Sequence, residues 1–559
     1  MAQRGRRTGS RAVFGVVCVL FGATLSLRPF ASVPGAAIAL AIGLLVASVA
    51  ELVVERGSAR SRLLLAAMHV AGAAVVGLWP GIPLAAIAAV AGMVLVASGA
   101  LEFWAGLTGG SRIAMVEGAL TLVLGAIATI WAEPVLLPVV VVLGWRLVLV
   151  GAGLLVDLWY PPSHLALRTG PPRALGRAVA LVVAVLLTVA SVAGDRRAAV
   201  PTFYDIELSA SARAGDLQRA AEYPGAPSGA AGFRLLYATS DTDGTLRPAS
   251  AVLYVPTATK MAELPLVVWV HGATGISRGC TPSVLGEQSD GLGVLPQLLA
   301  AGYAVLAPDL VGLGASGPSS YLVGVSEGRA VLDGIRAAGR VPGVRLGTSV
   351  LWGYDQGGHA VLWADQLAAG YAPGIRLAGV VAAAPATDLT ALFSAAISAG
   401  RAGTVGTDVL LTYAARYSDV RPGDYTGASP LLLDEVAARC DGERGPVGDA
   451  WARATGFDRA WVMPATSPLA ARLAENTPSG PFGDPVLVVQ GTADAEIPAV
   501  VQDDWVRARC SAGASLEYRK FAGLDHDRLA LPGSAALAAV LAWIGERFAA
   551  RAIVSPCGE

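Results

Sequence analysis

Lysine is almost missing from this sequence: Lys260 and Lys520 are the only two, so nearly all of the 41 basic residues are arginines. Charge of either sign is sparse, at 15% of residues, and no dense basic run is interleaved with aromatics, which leaves nucleic-acid binding without support. Histidine is scarce as well, with five in 559 residues, so the list of possible catalytic bases is short. Apolar residues are what the chain has in quantity. At 54% hydrophobic it is too apolar for a purely soluble protein and too long for one ordinary domain. The near-zero net charge is a cancellation of +8 up to residue 200 against −9 beyond it.

The apolar excess is concentrated at the front. Stretches of bilayer-spanning length, roughly 17 to 25 residues each, run approximately over 12–27, 33–54, 63–79, 82–104, 113–131, 134–158 and 178–194. A cleaved signal peptide explains only the first of them. The expectation for 1–197 is an all-α, multi-pass membrane domain of about seven helices. Arg4, Arg6, Arg7, Arg11, Arg56, Arg60, Arg62, Arg112, Arg168, Arg173 and Arg177 fall on one side, against Arg28 on the other, so the N-terminus is predicted to be cytoplasmic. Seven crossings then deliver residues 198–559 to the outer face.

The six leading segments also repeat as three hairpins. Arg11, Arg62 and Arg112 open them, Pro29, Pro80 and Pro134 mark their turns, and Glu51, Glu102 and Asp157 come near their ends. Over 10–160 this pattern resembles the HdeD-type family of small bacterial membrane proteins linked to acid resistance, which implies a bacterial plasma membrane. Glu117 and Arg146 lie at similar distances from the turn between the fifth and sixth segments. They read either as a proton or ligand site or as a structural pair, because charges at that depth are costly and usually partnered. The simplest role for the domain is an anchor.

Beyond residue 233, short β-branched runs alternate with Ala/Leu-rich helical patterns, as in a mostly parallel sheet covered by helices. "PLVVWVHG" (265–272), "YAVLAPD" (303–309), "SVLWGYD" (349–355), "VVAAAP" (380–385) and "VLVVQG" (486–491) are the clearest strands. Chemistry in such sheets gathers at the carboxyl ends of the strands. The long stretch between the last two strands, about 388–482, is expected to be a cap.

In "GYDQG", Gly353 and Gly357 flank Asp355 with the spacing of a sharp strand-to-helix turn, which thrusts the side chain of Asp355 above the sheet. The N–H of Gln356 then opens a helix and can donate to an oxyanion. "HGATG" (271–275) can supply a second donor from Ala273 or Thr274, with Ala273 preferred. Of the histidines, His69 falls in a membrane segment, His164 in a cytoplasmic loop, His271 in the oxyanion turn and His359 one turn past the elbow. His526 in "FAGLDHD" remains as the base. Asp494, off the last clear strand, is its orienting acid, with Glu496 as competitor. "GLGASG" (312–317) formally matches a dinucleotide fingerprint but follows at least two earlier strands, which argues against that use. No metal or organic cofactor is implied.

"HGATG", "APDLVGLG" (307–314), "GYDQGG" and Asp494 with His526 occur in the order of the secretory lipase family, which the chain resembles over roughly 200–550. The resemblance implies a lidded α/β-hydrolase acting on lipid or other hydrophobic esters. It also favours disulfides Cys280–Cys440 and Cys510–Cys557, leaving Cys18 as a membrane-packed thiol. The departure is the elbow residue, where that family carries serine. Aspartate attacking an ester carbonyl would form an anhydride while expelling an alkoxide, and with pKa values of about 4 against about 16 the adduct collapses back to substrate. Three alternatives stay open: general-base ester hydrolysis by Asp355, attack of Asp355 on saturated carbon as in epoxide hydrolases and haloalkane dehalogenases, or a catalytically inactive lipid-binding protein. For the second, Tyr413, Tyr417, Tyr425, Trp451 and Trp461 lie in the cap region as possible donors.

Overall fold

The computed structural model describes residues 15–19, 40–49, 59–78, 84–110, 112–130, 155, 200–258, 262–285, 293–428, 430–441, 457–551 and 557. Two compact units are distinguished, one formed mainly by Met1–Arg196 and one mainly by Arg197–Gly427 with Phe457–Glu559.

In the first unit, proline-free runs of Ala, Leu, Val and Ile make three long helices, α1 (Ala59–Leu78), α2 (Leu84–Thr108) and α3 (Arg112–Ile130). Helices α2 and α3 pack antiparallel along a glycine seam. A β-carbon on Gly99 would lie 2.7 Å from the Gly118 carbonyl oxygen, and one on Gly92 would lie 2.9 Å from that of Gly125. Only hydrogen at these four positions lets the backbones come so close. Leu63, Leu64, Met93, Trp104, Val116 and Val123 point outward and are exposed.

These helices coincide with the third, fourth and fifth expected segments. The rest fall largely outside the described residues, as do Arg146 and the side chain of Glu117. Among the described helices of this unit, Ala89–Thr108 reaches membrane-crossing length and hydropathy, while Arg62–Val76 is shorter. The seven-helix bundle and its HdeD-like character therefore rest on the sequence alone. His526–Phe548 meets the same measure, but its Val540, Trp543 and Ile544 are buried in the core of the second unit.

The second unit is built on one nine-stranded sheet. Its strands are β1 (Leu217–Glu222), β2 (Ala230–Ser240), β3 (Leu246–Pro256), β4 (Leu264–Val270), β5 (Ala304–Pro308), β6 (Leu346–Tyr354), β7 (Leu377–Ala383), β8 (Val486–Gly491) and β9 (Leu516–Phe521). The order is β1-β2-β3-β5-β4-β6-β7-β8-β9. Pairings from β1 to β3, and β3 with β5, are antiparallel, and the rest are parallel. Alternation along β4 shows why its run is apolar throughout. Leu266, Val268 and Val270 enter the core under α4 (Gly324–Ala338) and α5 (Gln356–Tyr371), while Val267 and Trp269 enter the opposite one. Between β7 and β8 the chain makes α6 (Leu389–Ser398), α7 (Gly403–Arg416) and α8 (Pro468–Glu475), and after β9 comes α9 (Ala535–Phe548), which packs on the second face. Both disulfides implied by the family resemblance are formed, Cys280–Cys440 and Cys510–Cys557, and Cys18 is a buried free thiol.

Candidate active site

Asp355 caps α5 at the end of β6 with φ 53° and ψ −114°, a conformation that L-residues adopt only under constraint. The constraint comes from its glycine neighbours. A β-carbon on Gly353 would stand 2.0 Å from the Gly357 carbonyl oxygen, and one on Gly357 would stand 2.0 Å from that of Val270. The turn can thus be this tight only with hydrogen at both positions, and it lifts Asp355 into a cavity of about 450 Å³.

The carboxylate does not stand free there. Its Oδ2 accepts a hydrogen bond of 2.9 Å from the backbone N–H of Ala273, the donor assigned to an oxyanion. Gln356 heads α5, with its side chain turned away: its Nε2 donates to Glu327 Oε1 at 2.7 Å. Thr274, the alternative donor, holds the Asp441 N–H through its carbonyl at 3.1 Å.

His526 and Asp494 meet on the loops after β9 and β8. His526 Nδ1 lies 2.8 Å from Asp494 Oδ2. Asp494 is itself fixed by donors: the Gln490 side chain on Oδ2 and the N–H groups of Glu496 and Ile497 on Oδ1. Glu496 faces the other ring nitrogen, with Oε2 3.9 Å from Nε2, and the Tyr354 ring lies against the imidazole at 4.8 Å between centroids. Burial disfavours the charged imidazole, but the Asp494 hydrogen bond and the charges of Asp355, Asp494 and Glu496 outweigh it and hold His526 up at about 9. At neutral pH it is a cation. In that state it can donate a proton but cannot accept one, the reverse of what a serine triad needs. Glu496 is shifted up from the ordinary carboxylate range, by burial first.

His359 lies beneath the site. It is fully buried, with Nδ1 2.7 Å from Glu327 Oε2 and Nε2 2.8 Å from the Asn476 carbonyl oxygen. The network ties α5 to the end of α8 without reaching the cavity.

Asp355, Ala273, His526 and Glu496 all line the cavity, with an apolar wall from α6 and α7 that includes Leu389, Leu392, Phe393, Val405 and Val409. Six polar lining residues were not singled out from the sequence: Tyr321, Tyr354, Arg401, Thr404, Asp441 and Asp527. Tyr354 immediately precedes the elbow, a position from which its place at the cavity follows. The cap tyrosines serve structure instead. Tyr413 donates to the Leu322 carbonyl, Tyr417 accepts from Asn476, and Tyr425 accepts from the Leu469 N–H. Trp461 bonds the Phe457 carbonyl, and Trp451 lies outside the described residues. In "GLGASG", a β-carbon on Gly312 would meet Ser319 Cα at 2.6 Å, so this glycine accommodates the chain's own turn.

An elbow at a strand end, a His–Asp pair from later loops and a capped cavity form one hydrolase arrangement. Residues 283–556 match the secretory lipase family model. The chain is 28% identical over 349 residues to a probable inactive lipase of Mycobacterium tuberculosis, covering 57% of this chain and 74% of that protein. It is 29% identical over 287 residues to lipase 5 of Candida albicans, covering 47% of this chain and 59% of that one. Among solved structures, Candida antarctica lipase A superposes with a TM-score of 0.50 at 18% identity, over 65% of this chain and 88% of that chain. That likeness establishes the α/β-hydrolase fold of the second unit. Together, the family match and the lipase and esterase relatives support a hydrolase acting on ester bonds.

Proposed function

We propose that this protein is a membrane-anchored hydrolase of hydrophobic or lipid esters in which Asp355 works as a general base rather than a nucleophile. The observation that carries the reading is the placement of Asp355 and His526 in one apolar-walled cavity, with His526 held cationic by Asp494, Glu496 and Asp355. Asp355 takes a proton from water as the water attacks the ester carbonyl, and His526 gives its proton to the leaving alkoxide. No acyl-enzyme forms. The substrate oxygen must displace Asp355 Oδ2 from the Ala273 N–H, a charge-assisted bond whose loss costs about 1.5 to 3 kcal/mol, so turnover is slow. The first unit is the anchor, N-terminus in the cytoplasm and the hydrolase outside. Its outward apolar side chains and the long helix at Ala89–Thr108 support this, together with the arginine asymmetry.

A second reading, a lipid-binding protein without catalysis, is favoured by the same occupied donor and by the name of the mycobacterial relative. Hydrolysis of nitrophenyl esters by the full chain in detergent separates the two. The proposal requires turnover by wild type that is lost in both Asp355→Asn and His526→Ala. Binding of the esters without turnover would leave the second reading standing.

A further inference from the structure

The geometry points to a second activity for this cavity, independent of ester cleavage: opening of an apolar epoxide by Asp355, through an alkyl ester on Asp355 that water then cleaves. The Ala273 hydrogen bond motivates it. In acyl transfer the donor should wait empty for the substrate's oxygen, yet here it is filled by Asp355 Oδ2 at 2.9 Å. That occupancy is what is needed when the tetrahedral centre is the carboxyl carbon of Asp355 itself. Among the described residues no hydrogen bond engages Oδ1, which leaves it as the attacking atom.

The steps balance as follows. An Oδ1 electron pair forms a bond to a ring carbon, the carbon–oxygen bond of the epoxide breaks, and the released oxygen takes the proton of cationic His526. The product is a hydroxyalkyl ester of Asp355 beside a neutral imidazole. Esterification removes the Asp355 charge, one of the causes that keep His526 protonated, so the neutral base is favoured at the moment it is needed. Water then attacks the carboxyl carbon and gives one proton to His526, and the developing charge falls on Oδ2, already bonded to Ala273. Collapse expels the diol oxygen, which takes the remaining water proton and leaves Asp355 as carboxylate and His526 as cation. The sum is epoxide plus water to diol.

The cavity wall fits this substrate class. Tyr321 and Tyr354 line it with Asp355. Leu389, Leu392, Phe393, Val405, Val409 and Ile497 call for an alkyl chain on the ring.

The test is a single turnover of the full chain in detergent with terminal alkyl epoxides, from hexyl to hexadecyl, in water labelled with heavy oxygen. The expected result is diol carrying unlabelled oxygen from Asp355, with the label recovered in the peptide that contains Asp355. In His526→Gln, which removes both the acid of the ring-opening step and the base of the hydrolysis step, diol formation should fall by at least about 100-fold. Label passing directly into the diol, or neither diol nor adduct across the whole series, overturns the inference. Nitrophenyl ester turnover by the same preparation reports separately on the ester reading.

Discussion

His526 should titrate at about 9 in the intact chain, against 6.5 for an unperturbed imidazole, and this shift tests the whole electrostatic account of the site. The groups that face the ring are Asp494 on Nδ1, Glu496 near Nε2, Asp355 across the cavity, Asp527 beside it in sequence and the uncharged Tyr354 ring. Asp355→Asn is the informative perturbation because the amide oxygen can still accept from Ala273 while the charge is gone. An opposite charge at close range shifts a pKa by about 1 to 3 units, so the substitution should lower the His526 value by about one unit or more. The linkage has a definite sign. A pKa raised on folding stabilises the folded state fully below 6.5 and loses that contribution as pH rises through about 9. The shift corresponds to roughly 3 kcal/mol of stability lost between neutral and strongly alkaline pH. Histidine-labelled chain followed by NMR across the alkaline range, with His526→Gln for assignment, gives the value directly. Denaturant midpoints at the two ends of the range give the linkage. A wild-type His526 titrating near 6.5, or a value unmoved by Asp355→Asn, would refute the reasoning.

Asp355→Ser removes the charge that helps keep His526 cationic and vacates the Ala273 N–H. Nitrophenyl ester turnover should rise at least about 100-fold and acquire an acyl-enzyme burst that wild type lacks, read by stopped-flow absorbance. Gly357→Ala drives a methyl group into the Val270 carbonyl and should cost more than about 4 kcal/mol or abolish folding, seen as loss of the cooperative unfolding transition. His359→Ala removes one of the hydrogen-bond partners of buried Glu327, which keeps the Leu322 N–H and Gln356 Nε2, and should destabilise the second unit by about 1 to 3 kcal/mol in denaturant titrations, although neither residue lines the cavity.

The elbow was legible in the sequence because its requirement is local. Gly353 and Gly357 are spaced so that only one residue between them can take the strained turn, and the φ of 53° at Asp355 is that turn. Strands β4 to β8 were legible for a similar reason, since each is a continuous apolar run with a Gly, Pro or Asp at its end, whereas β1, β2, β3 and β9 were not named from the sequence, and β1 and β9 carry charged residues in place of such a run. His526 and Asp494 were reached by elimination among five histidines and by chain order, and the structure sets them 2.8 Å apart. Glu496 shows the limit of that approach. It was weighed only as a substitute for Asp494, whereas it sits on the opposite ring nitrogen.

What the sequence by itself determined was thus whatever short-range sterics and solvent preference dictate: an apolar first part, a strand-and-helix second part, and an aspartate held at the top of the sheet. Tertiary structure alone decided where the Asp355 carboxylate points and what charge His526 carries. Oδ2 rests on an N–H 82 residues away in sequence, and the imidazole, which follows β9, is set between Asp494 and Glu496 on the loop after β8. Both depend on distances across the folded chain, and Coulomb and hydrogen-bond energies change over fractions of an ångström that residue order does not encode.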